Sequence, residues 1–374
     1  MYEQDTKQHQ MSFPYEIVER RLGIEILRYA DLGNGSQIFS PFSIAFIMTM
    51  LWIASVDETN YEIGELLAPD VPIELYASKI IATSFALFNN HKDPSIRLAS
   101  RIYLNSIYQP NSTYVEEISK YHNDQLENID FGEQNITVEA INDWVKDKTN
   151  GKIQNIIKDY NFSNERAVLV SGFYYKVSLK CGVLKTDYIT ASFHPNALET
   201  REVLMVSRVC ESGYYEDDWI QVLKLKMRTV STALYMFLPK RRFTLDEFEN
   251  DMTALKLDIL MKSCSRRFVA ATFPKFDFNE TLHFEKPLMK AGVIEPFVSS
   301  AKFPRLSDQN VYVTSTFHET VVEAEEVSPE ETSAPVPEYA KEPGFRGDSI
   351  FFADHPFLFL IMHEKSVLVM GRYK

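Results

Sequence analysis

The chain has 374 residues and a formal net charge of −13, from 39 basic and 52 acidic side chains. This acidic balance argues against a nucleic-acid-binding protein, because such proteins neutralise phosphates with a basic face. The length permits one large domain or two to three small ones, but no linker rich in glycine, serine or proline divides the chain. We therefore expect one domain that spans residues 1–374.

Helical spacing of apolar residues recurs along the chain, mostly in its first half. Ser40 offers a capping hydroxyl and Pro41 suits the first helical position, so a helix is expected to begin there. That helix is apolar on nearly all sides, which predicts that it is buried. The predicted helices cover residues 13–29, 41–55, 76–87, 112–122, 138–149 and 245–261.

Runs rich in β-branched and aromatic residues lie between and after these helices. The predicted strands cover residues 98–104, 167–175, 202–206, 219–225, 232–238, 268–278 and 311–322, with three further runs after residue 348. Helices that gather in the first half and strands that gather in the second predict a segregated α+β fold.

The residues that carry metal or catalytic chemistry do not form known motifs. Cys181, Cys210 and Cys264 have no Cys-x-x-Cys or histidine-paired spacing, which predicts buried free thiols rather than a zinc site or disulfides. His318 opens the run His-Glu-Thr-Val-Val, whose fifth residue cannot supply the second imidazole of a zinc protease. Glycine-rich phosphate motifs and the serine-hydrolase elbow are missing too. We therefore expect no enzyme activity, no metal and no cofactor.

The N-terminal sequence bears on the compartment. The first 13 residues are polar, and no run of 18 apolar residues exists for a membrane span. These features favour a cytoplasmic protein without a membrane partner. Asn-x-Ser/Thr sequons keep an extracellular location open. They begin at Asn34, Asn111, Asn135, Asn161 and Asn279.

Residues 319–348 form an acidic, proline-containing segment just before the most apolar end of the chain. A disordered tail would not be followed by three apolar runs, since those runs must return to a core. We therefore interpret this segment as a long exposed loop that is tethered at both ends.

Several motifs, taken in order, resemble the serpin family of serine protease inhibitors. Phe-Ala-Asp-His-Pro-Phe-Leu-Phe at 352–359 is similar to the family's C-terminal signature, and Phe-Ser-Pro-Phe-Ser-Ile at 39–44 is similar to its N-terminal one. Further matches lie at 141–145, 148–153, 168–176, 274–276 and 369–372. The resemblance implies an α+β monomer with three β-sheets, about eight or nine helices and an exposed reactive-centre loop at about residues 326–348.

The resemblance also implies a mechanism. A protease cuts the loop of a serpin, and the N-terminal part of the loop then inserts as a new central strand in the largest sheet. Four residues match the shutter, where that sheet opens: Ser40, Ser43, Ser171 and His318. The family has asparagine where this chain has Ser171, so a shorter side chain predicts a weaker hydrogen-bond network there.

Two further regions of the mechanism can be matched by sequence. At the breach, the upper end of the same sheet, Lys275 and Glu326 match a family ion pair, and Leu179 replaces a family tryptophan. The family hinge continues from the glutamate with small residues. The hinge residues here are Glu326, Val327, Ser328, Pro329, Glu330 and Glu331.

The hinge departs most from the family pattern. Pro329 takes the position of a threonine that enters the sheet first, and Glu331 and Pro335 would lie on the same face because side chains alternate along a strand. Proline cannot donate a ladder hydrogen bond, and a buried unpaired glutamate is costly. We therefore predict a bait loop that traps proteases poorly. A working suicide inhibitor of a trypsin-like serine endopeptidase, or less readily of a cysteine protease, is the alternative.

Two bonds are candidates for cleavage. Counting forward from Glu326 reaches Glu342-Pro343, whereas Arg346-Gly347 has an arginine that suits a trypsin-like pocket and a glycine that leaves room beyond it. A serine protease is therefore the expected partner, and a non-protease protein ligand is the alternative.

Overall fold

The computed structural model describes residues 18–30, 35–69, 71–88, 95–119, 125–179, 183–324 and 347–374, without the side chains of 183–187. The helices in these ranges are α1 (Val18–Tyr29), α2 (Pro41–Ala54), α3 (Asp57–Leu67), α4 (Ile73–Phe88), α5 (Ser112–Ser119), α6 (Gln134–Lys148), α7 (Leu245–Asp251), α8 (Ala254–Ser263) and α9 (Glu285–Lys290). A 3-10 helix covers Glu295–Phe297.

The strands in the described ranges form two hydrogen-bonded sheets. They are β1 (Gln37–Phe39), β2 (Ile96–Asn105), β3 (Leu126–Ile129), β4 (Ala167–Val177), β5 (Val183–Asn196), β6 (Glu199–Glu216), β7 (Ile220–Lys226), β8 (Thr232–Pro239), β9 (Ser265–Pro274), β10 (Asp277–Leu282), β11 (Val313–Ala324), β12 (Ser349–Phe352), β13 (Phe357–His363) and β14 (Ser366–Tyr373). The predicted α+β class is confirmed.

The five-stranded sheet has the order β10-β11-β4-β2-β3. Its central strands β4 and β11 run parallel and pair directly, with Ser171 opposite His318 and Val177 opposite Ala324. Nearly every residue of these two strands is buried. The line between β4 and β11, called the seam below, is therefore a closed and buried junction.

The larger sheet has nine strands in the order β1-β14-β13-β8-β7-β6-β9-β12, with β5 also paired to β6. The first part of the long strand β6 pairs with β5, and its last residues, Gly213 to Glu216, pair with β7. The resemblance implies three sheets. Because β6 pairs with β5 along its first part and with β7 at its end, two of these sheets are joined by hydrogen bonds into the single nine-stranded sheet.

Helix α2 lies between the two sheets. All of its residues are buried, as predicted, and it contacts β2 and β4 on one side and β14 on the other. Ser40 caps the helix by accepting a hydrogen bond from the Ser43 backbone N–H at 3.1 Å. This capping residue fixes where α2 begins, directly against the five-stranded sheet.

Two predicted elements are each divided in the structure. Residues 268–278 do not form one strand, because β9 ends at Pro274 in the large sheet and β10 begins at Asp277 in the small one. The predicted helix at 245–261 is divided between α7 and α8, where Thr253 caps α8 by accepting from the Lys256 N–H at 3.2 Å. Pro274 thus ends one predicted strand early, and the Thr253 cap starts a new helix inside a segment that periodicity alone would continue as one.

The thiols and charged side chains show no metal chemistry in the described part of the chain. Cys210 is buried and Cys264 is half-buried, and no disulfide joins two described residues, whereas Cys181 lies outside the described ranges. Burial raises the pKa of Cys264 to about 11. No cluster of three potential metal ligands occurs within the described ranges, and no helix there has the length and apolarity needed to cross a membrane.

Candidate functional site

The four residues predicted for the shutter meet at the middle of the seam. Ser171 on β4 and His318 on β11 are direct register partners, and Ser40 and Ser43 stand at the start of α2 on the same face of the sheet. All four are completely buried. Sequence matching therefore identified residues that lie together in space.

Hydrogen bonds fix the protonation state of His318. The Ser40 backbone N–H donates to its Nε2 at 2.9 Å. Because a backbone N–H can only donate, Nε2 carries no proton, and the Nδ1–H donates to the Ser171 carbonyl at 3.1 Å. The Thr320 hydroxyl lies 2.8 Å from the same Nε2 and donates to it as well. A neutral imidazole thus connects α2, β4 and β11.

Burial agrees with this neutral state. The side chain of His318 is fully enclosed, and the ring of Phe284 stands edge-on at 6.4 Å between centroids. Burial lowers the pKa of His318 to about 3, although the hydrogen bond to the Ser171 carbonyl acts in the opposite direction. The imidazole is therefore uncharged at every pH where the protein would work.

The hydroxyl at position 171 takes part in a second chain of hydrogen bonds. Ser171 Oγ donates to Ser43 Oγ at 3.0 Å, and Ser43 Oγ donates to the Ser40 carbonyl at 3.3 Å. His318 is held by the Ser171 backbone rather than by its side chain. The contact between His318 and position 171 therefore does not require a long side chain there. Only the hydrogen bond to Ser43 depends on the Ser171 hydroxyl.

The opposite face of the seam is covered by α6 and the turn after it. A Cβ at Gly172 would lie 3.1 Å from Ile153 Cδ1 and 3.3 Å from Val145 Cγ1, so these side chains pack against the bare backbone of β4. Phe317 and Val321 of β11 belong to the same apolar cluster. Both faces of the seam are therefore covered by packed side chains.

A polar cluster closes the upper end of the seam. Lys152, just after α6, contacts Glu323 of β11 at 2.7 Å, and Tyr174 of β4 donates its hydroxyl proton to the same carboxylate at 2.8 Å. Burial, and then the bond to Glu323, raises the pKa of Tyr174 to about 12. Sequence reasoning missed this cluster, because only the alternation along β11 places Glu323 on the α6 face.

The breach residues are described only in part. Lys275 forms an ion pair with Asp277 at 2.7 Å, and its predicted partner Glu326 lies outside the described residues. Leu179 is half-buried and forms an isolated antiparallel bridge with Met227 just beyond the end of β4. The predicted lysine–glutamate pair stays a prediction.

Most of the predicted hinge and bait residues fall within residues 325–346, outside the described ranges. These are Glu326, Val327, Ser328, Pro329, Glu330, Glu331, Pro335, Glu342, Pro343 and Arg346. Gly347 is described, and its φ of +85° lies in the left-handed region. A Cβ there would lie 3.0 Å from both Ala270 N and Phe268 O, so glycine suits both the backbone angle and the close contact with β9.

A sequence model of the family described as "Serpin (serine protease inhibitor)" matches residues 20–374. The chain belongs to the serpin family. It is similar to Serpin B10 of Bos taurus, with 27% identity over 92% of this chain and 95% of that protein. An uncharacterized serpin-like protein of Methanosarcina acetivorans is 25% identical over 91% of this chain and 82% of its own length.

Solved structures show the same fold for this serpin. A 2.1 Å structure of a tumour suppressing serpin superposes with a TM-score of 0.81 and 18% identity, covering 96% of this chain and 98% of the other. A 3.10 Å crystal structure of maspin gives a TM-score of 0.80 at 18% identity, with the same coverage. The family and the serpin fold implied by the sequence motifs are thus confirmed.

Proposed function

We propose that this serpin presents residues 326–348 as a bait loop that proteases recognise and cut, but that it traps them poorly. It acts as a single-domain monomer without enzyme activity of its own. A serine protease is its first expected partner, and a non-protease protein ligand becomes the main partner where trapping fails. The observation that carries this proposal is a seam that is buried on both faces, together with a hinge sequence after β11 that contains proline and glutamate.

Insertion would require β4 and β11 to separate along their whole pairing and to accept a new strand between them. The shutter hydrogen bonds cover one face of the seam, and the packing of Gly172 against α6 covers the other. Because side chains alternate along a strand, an inserted glutamate would point toward one of these two buried faces in either register. If the loop inserts between β4 and β11 as a sixth strand of this sheet, the side chain of Glu331 is therefore buried whichever face it takes.

Proline adds a second obstacle to insertion. Pro329 and Pro335 cannot donate to the carbonyls of β4 or β11, and each unsatisfied buried carbonyl costs roughly 1–3 kcal/mol. An unpaired buried carboxylate adds roughly several kcal/mol. These costs oppose the fast insertion that a suicide inhibitor needs, so we expect the loop to be hydrolysed before the sheet can open.

Efficient inhibition is the second candidate function. The direct pairing of β4 with β11 and the complete shutter favour it, because a sheet without an inserted strand is the form that could still accept one. In that case Arg346 is the proposed bait residue. Cleavage at Arg346-Gly347 would also require Gly347 to leave its contact with β9, where the neighbouring Asp348 N–H donates to Phe268 O at 2.7 Å.

The two functions can be separated with trypsin-, chymotrypsin- and elastase-like proteases. The protein is incubated with each, then analysed on a denaturing gel and by a melting curve. We expect cleavage without a denaturant-stable complex and without a rise in melting temperature. The matched variant Pro329→Thr/Glu331→Ala/Pro335→Ala should gain a rise in melting temperature after cleavage, because its hinge can enter the seam.

A denaturant-stable complex of summed mass with the natural sequence would overturn the proposal and support inhibition. Arg346→Ala then tests the bait residue, since inhibition of a trypsin-like enzyme should disappear. If the hinge variant behaves like the natural chain after cleavage, hinge composition is not what limits insertion.

A further inference from the structure

A cavity of about 320 Å³ lies where the side of α1 meets the end of α3 and the junction of α7 and α8. Strands β4 and β11 contribute nothing to its lining. It is therefore separate from the seam, and binding there does not depend on whether the bait loop can insert. Cavities of this size that have mostly apolar walls and a few polar groups are typical small-molecule sites.

Two walls of the cavity are apolar. Leu67 and Ala68 come from the end of α3, and Met252 comes from the junction before α8; all three are nearly inaccessible to solvent. Leu255 lies at the mouth of the cavity and is 59% exposed. An exposed leucine beside a buried apolar wall forms a continuous surface on which a hydrocarbon chain could lie.

The third wall is the polar side of α1. Arg28 is already paired, because its guanidinium contacts Glu25 Oε1 at 3.0 Å and donates to the Met252 carbonyl at 3.1 Å. Arg21, about two turns earlier, is exposed and also lines the cavity, but its guanidinium makes no hydrogen bond or ion pair with any residue in the described ranges. A guanidinium without a partner at the edge of an apolar cavity is suited to bind a carboxylate.

We propose that this cavity binds a small amphipathic carboxylate, namely an unbranched alkyl carboxylic acid. Its head group contacts Arg21 and its chain lies along Leu67, Ala68 and Met252. At about 30 Å³ for each water-sized group, the cavity holds about ten non-hydrogen atoms. A chain of roughly this length places its carboxylate at the α1 wall and its methyl end between α3 and α8.

The proposal is tested with sodium decanoate, used below its micelle concentration, and with 1-decanol as the uncharged counterpart. Binding to the whole protein is measured by titration calorimetry. We expect decanoate to bind at one site and decanol to bind more weakly. Arg21→Gln should weaken decanoate binding about tenfold, as expected for loss of a charge-assisted contact, and should leave decanol binding unchanged.

A second variant tests the location. Ala254 lines the cavity and is half-buried, so Ala254→Leu should fill part of the space and weaken both ligands. Arg266→Gln is the control for loss of a surface arginine, because Arg266 lies on β9 and does not line the cavity. A melting curve of each variant shows whether it is folded.

Three results would overturn the assignment. One is the absence of decanoate binding to the natural protein. Another is equal decanoate affinity in Arg21→Gln and in the Arg266→Gln control, which would remove the role of Arg21. The third is unchanged binding in a folded Ala254→Leu protein, which would place the ligand elsewhere.

Discussion

Replacing His318 with glutamine should change how the stability of this serpin depends on pH. The imidazole has a pKa of about 3 in the folded protein, against about 6.5 in an unfolded chain. The unfolded state therefore binds a proton that the folded state rejects. Stability from the neutral imidazole is complete above pH ~6.5 and is lost as pH falls toward about 3.

The size of the effect follows from these values. At pH 4.5, two units below the unfolded pKa, the loss is about 2.7 kcal/mol at 1.36 kcal/mol per unit. An unfolding entropy of about 2.1 cal/mol/K per residue gives about 0.8 kcal/mol/K for this chain. The melting temperature of the natural protein should therefore fall by about 3 to 4 °C more than that of His318→Gln between pH 7 and pH 4.5.

The assay is a series of melting curves at fixed ionic strength across that pH range, for the natural protein and for His318→Gln. Other groups that titrate over the same range cancel in the difference between the two proteins. His194→Gln serves as the control for loss of a half-buried imidazole, whose Nδ1 lies 2.9 Å from Thr200 Oγ1. Parallel pH profiles for the natural protein and His318→Gln would refute the neutral, buried imidazole.

Three further predictions concern single side chains. Glu19 is buried with one carboxylate oxygen unpaired, and burial raises its pKa above the unfolded value of about 4.3. Glu19→Gln should therefore stabilise the protein by about 1 kcal/mol at pH 8, and this advantage should shrink as pH falls through the raised pKa and be gone once pH is below about 4.3; thermal melts at pH 8 and pH 4 check it. Tyr174→Phe removes the bond to Glu323 across the seam and should cost about 1 kcal/mol, with faster amide exchange confined to the upper end of β11. Gly347→Ala should destabilise by roughly 1–3 kcal/mol because of its positive φ, whereas Gly35→Ala, where nothing lies within 4 Å, should be neutral in the same melting assay.

The sequence predicts the features that depend on local chemistry. Ser40 and Pro41 define the start of α2, and the apolar composition of that helix predicts its burial between the sheets. The order of short motifs identifies the family, and the matches at Ser171 and His318 bring together residues that are 147 positions apart. A cap, an apolar helix and a family motif can each be recognised within a few residues.

Features that depend on how the chain passes from one sheet to the other cannot be recognised from a short stretch of sequence. The run at 268–278 contains Pro274, which can end a strand, but its composition does not show that the chain changes sheets there. The packing of the Phe276 ring against Phe359, at 4.9 Å between centroids, makes this change of sheet part of the core. Glu323 meets Tyr174 only because β4 and β11 are paired in this register, whereas Thr320 reaches His318 because it lies two residues further along the same strand.

The burial that keeps His318 neutral also determines what the seam can accept. A histidine loses its proton without cost at pH 7, whereas a glutamate with an ordinary pKa of about 4.3 must gain one, which costs about 3.7 kcal/mol at pH 7 and about 1 kcal/mol at pH 5. Insertion of a loop that carries Glu331 should therefore be faster at pH 5, and Glu331→Gln should show a smaller difference in insertion rate between the two pH values.

This last prediction is measured as the rise in melting temperature over time after the loop is cut, with the two pH values compared for each protein. Protonation of His318 in transiently opened sheets would also favour insertion at low pH, but it would do so in both proteins. The difference between the natural chain and Glu331→Gln therefore isolates the carboxylate. An equal dependence on pH in both would show that the glutamate does not enter the buried seam, and that the prolines alone limit insertion.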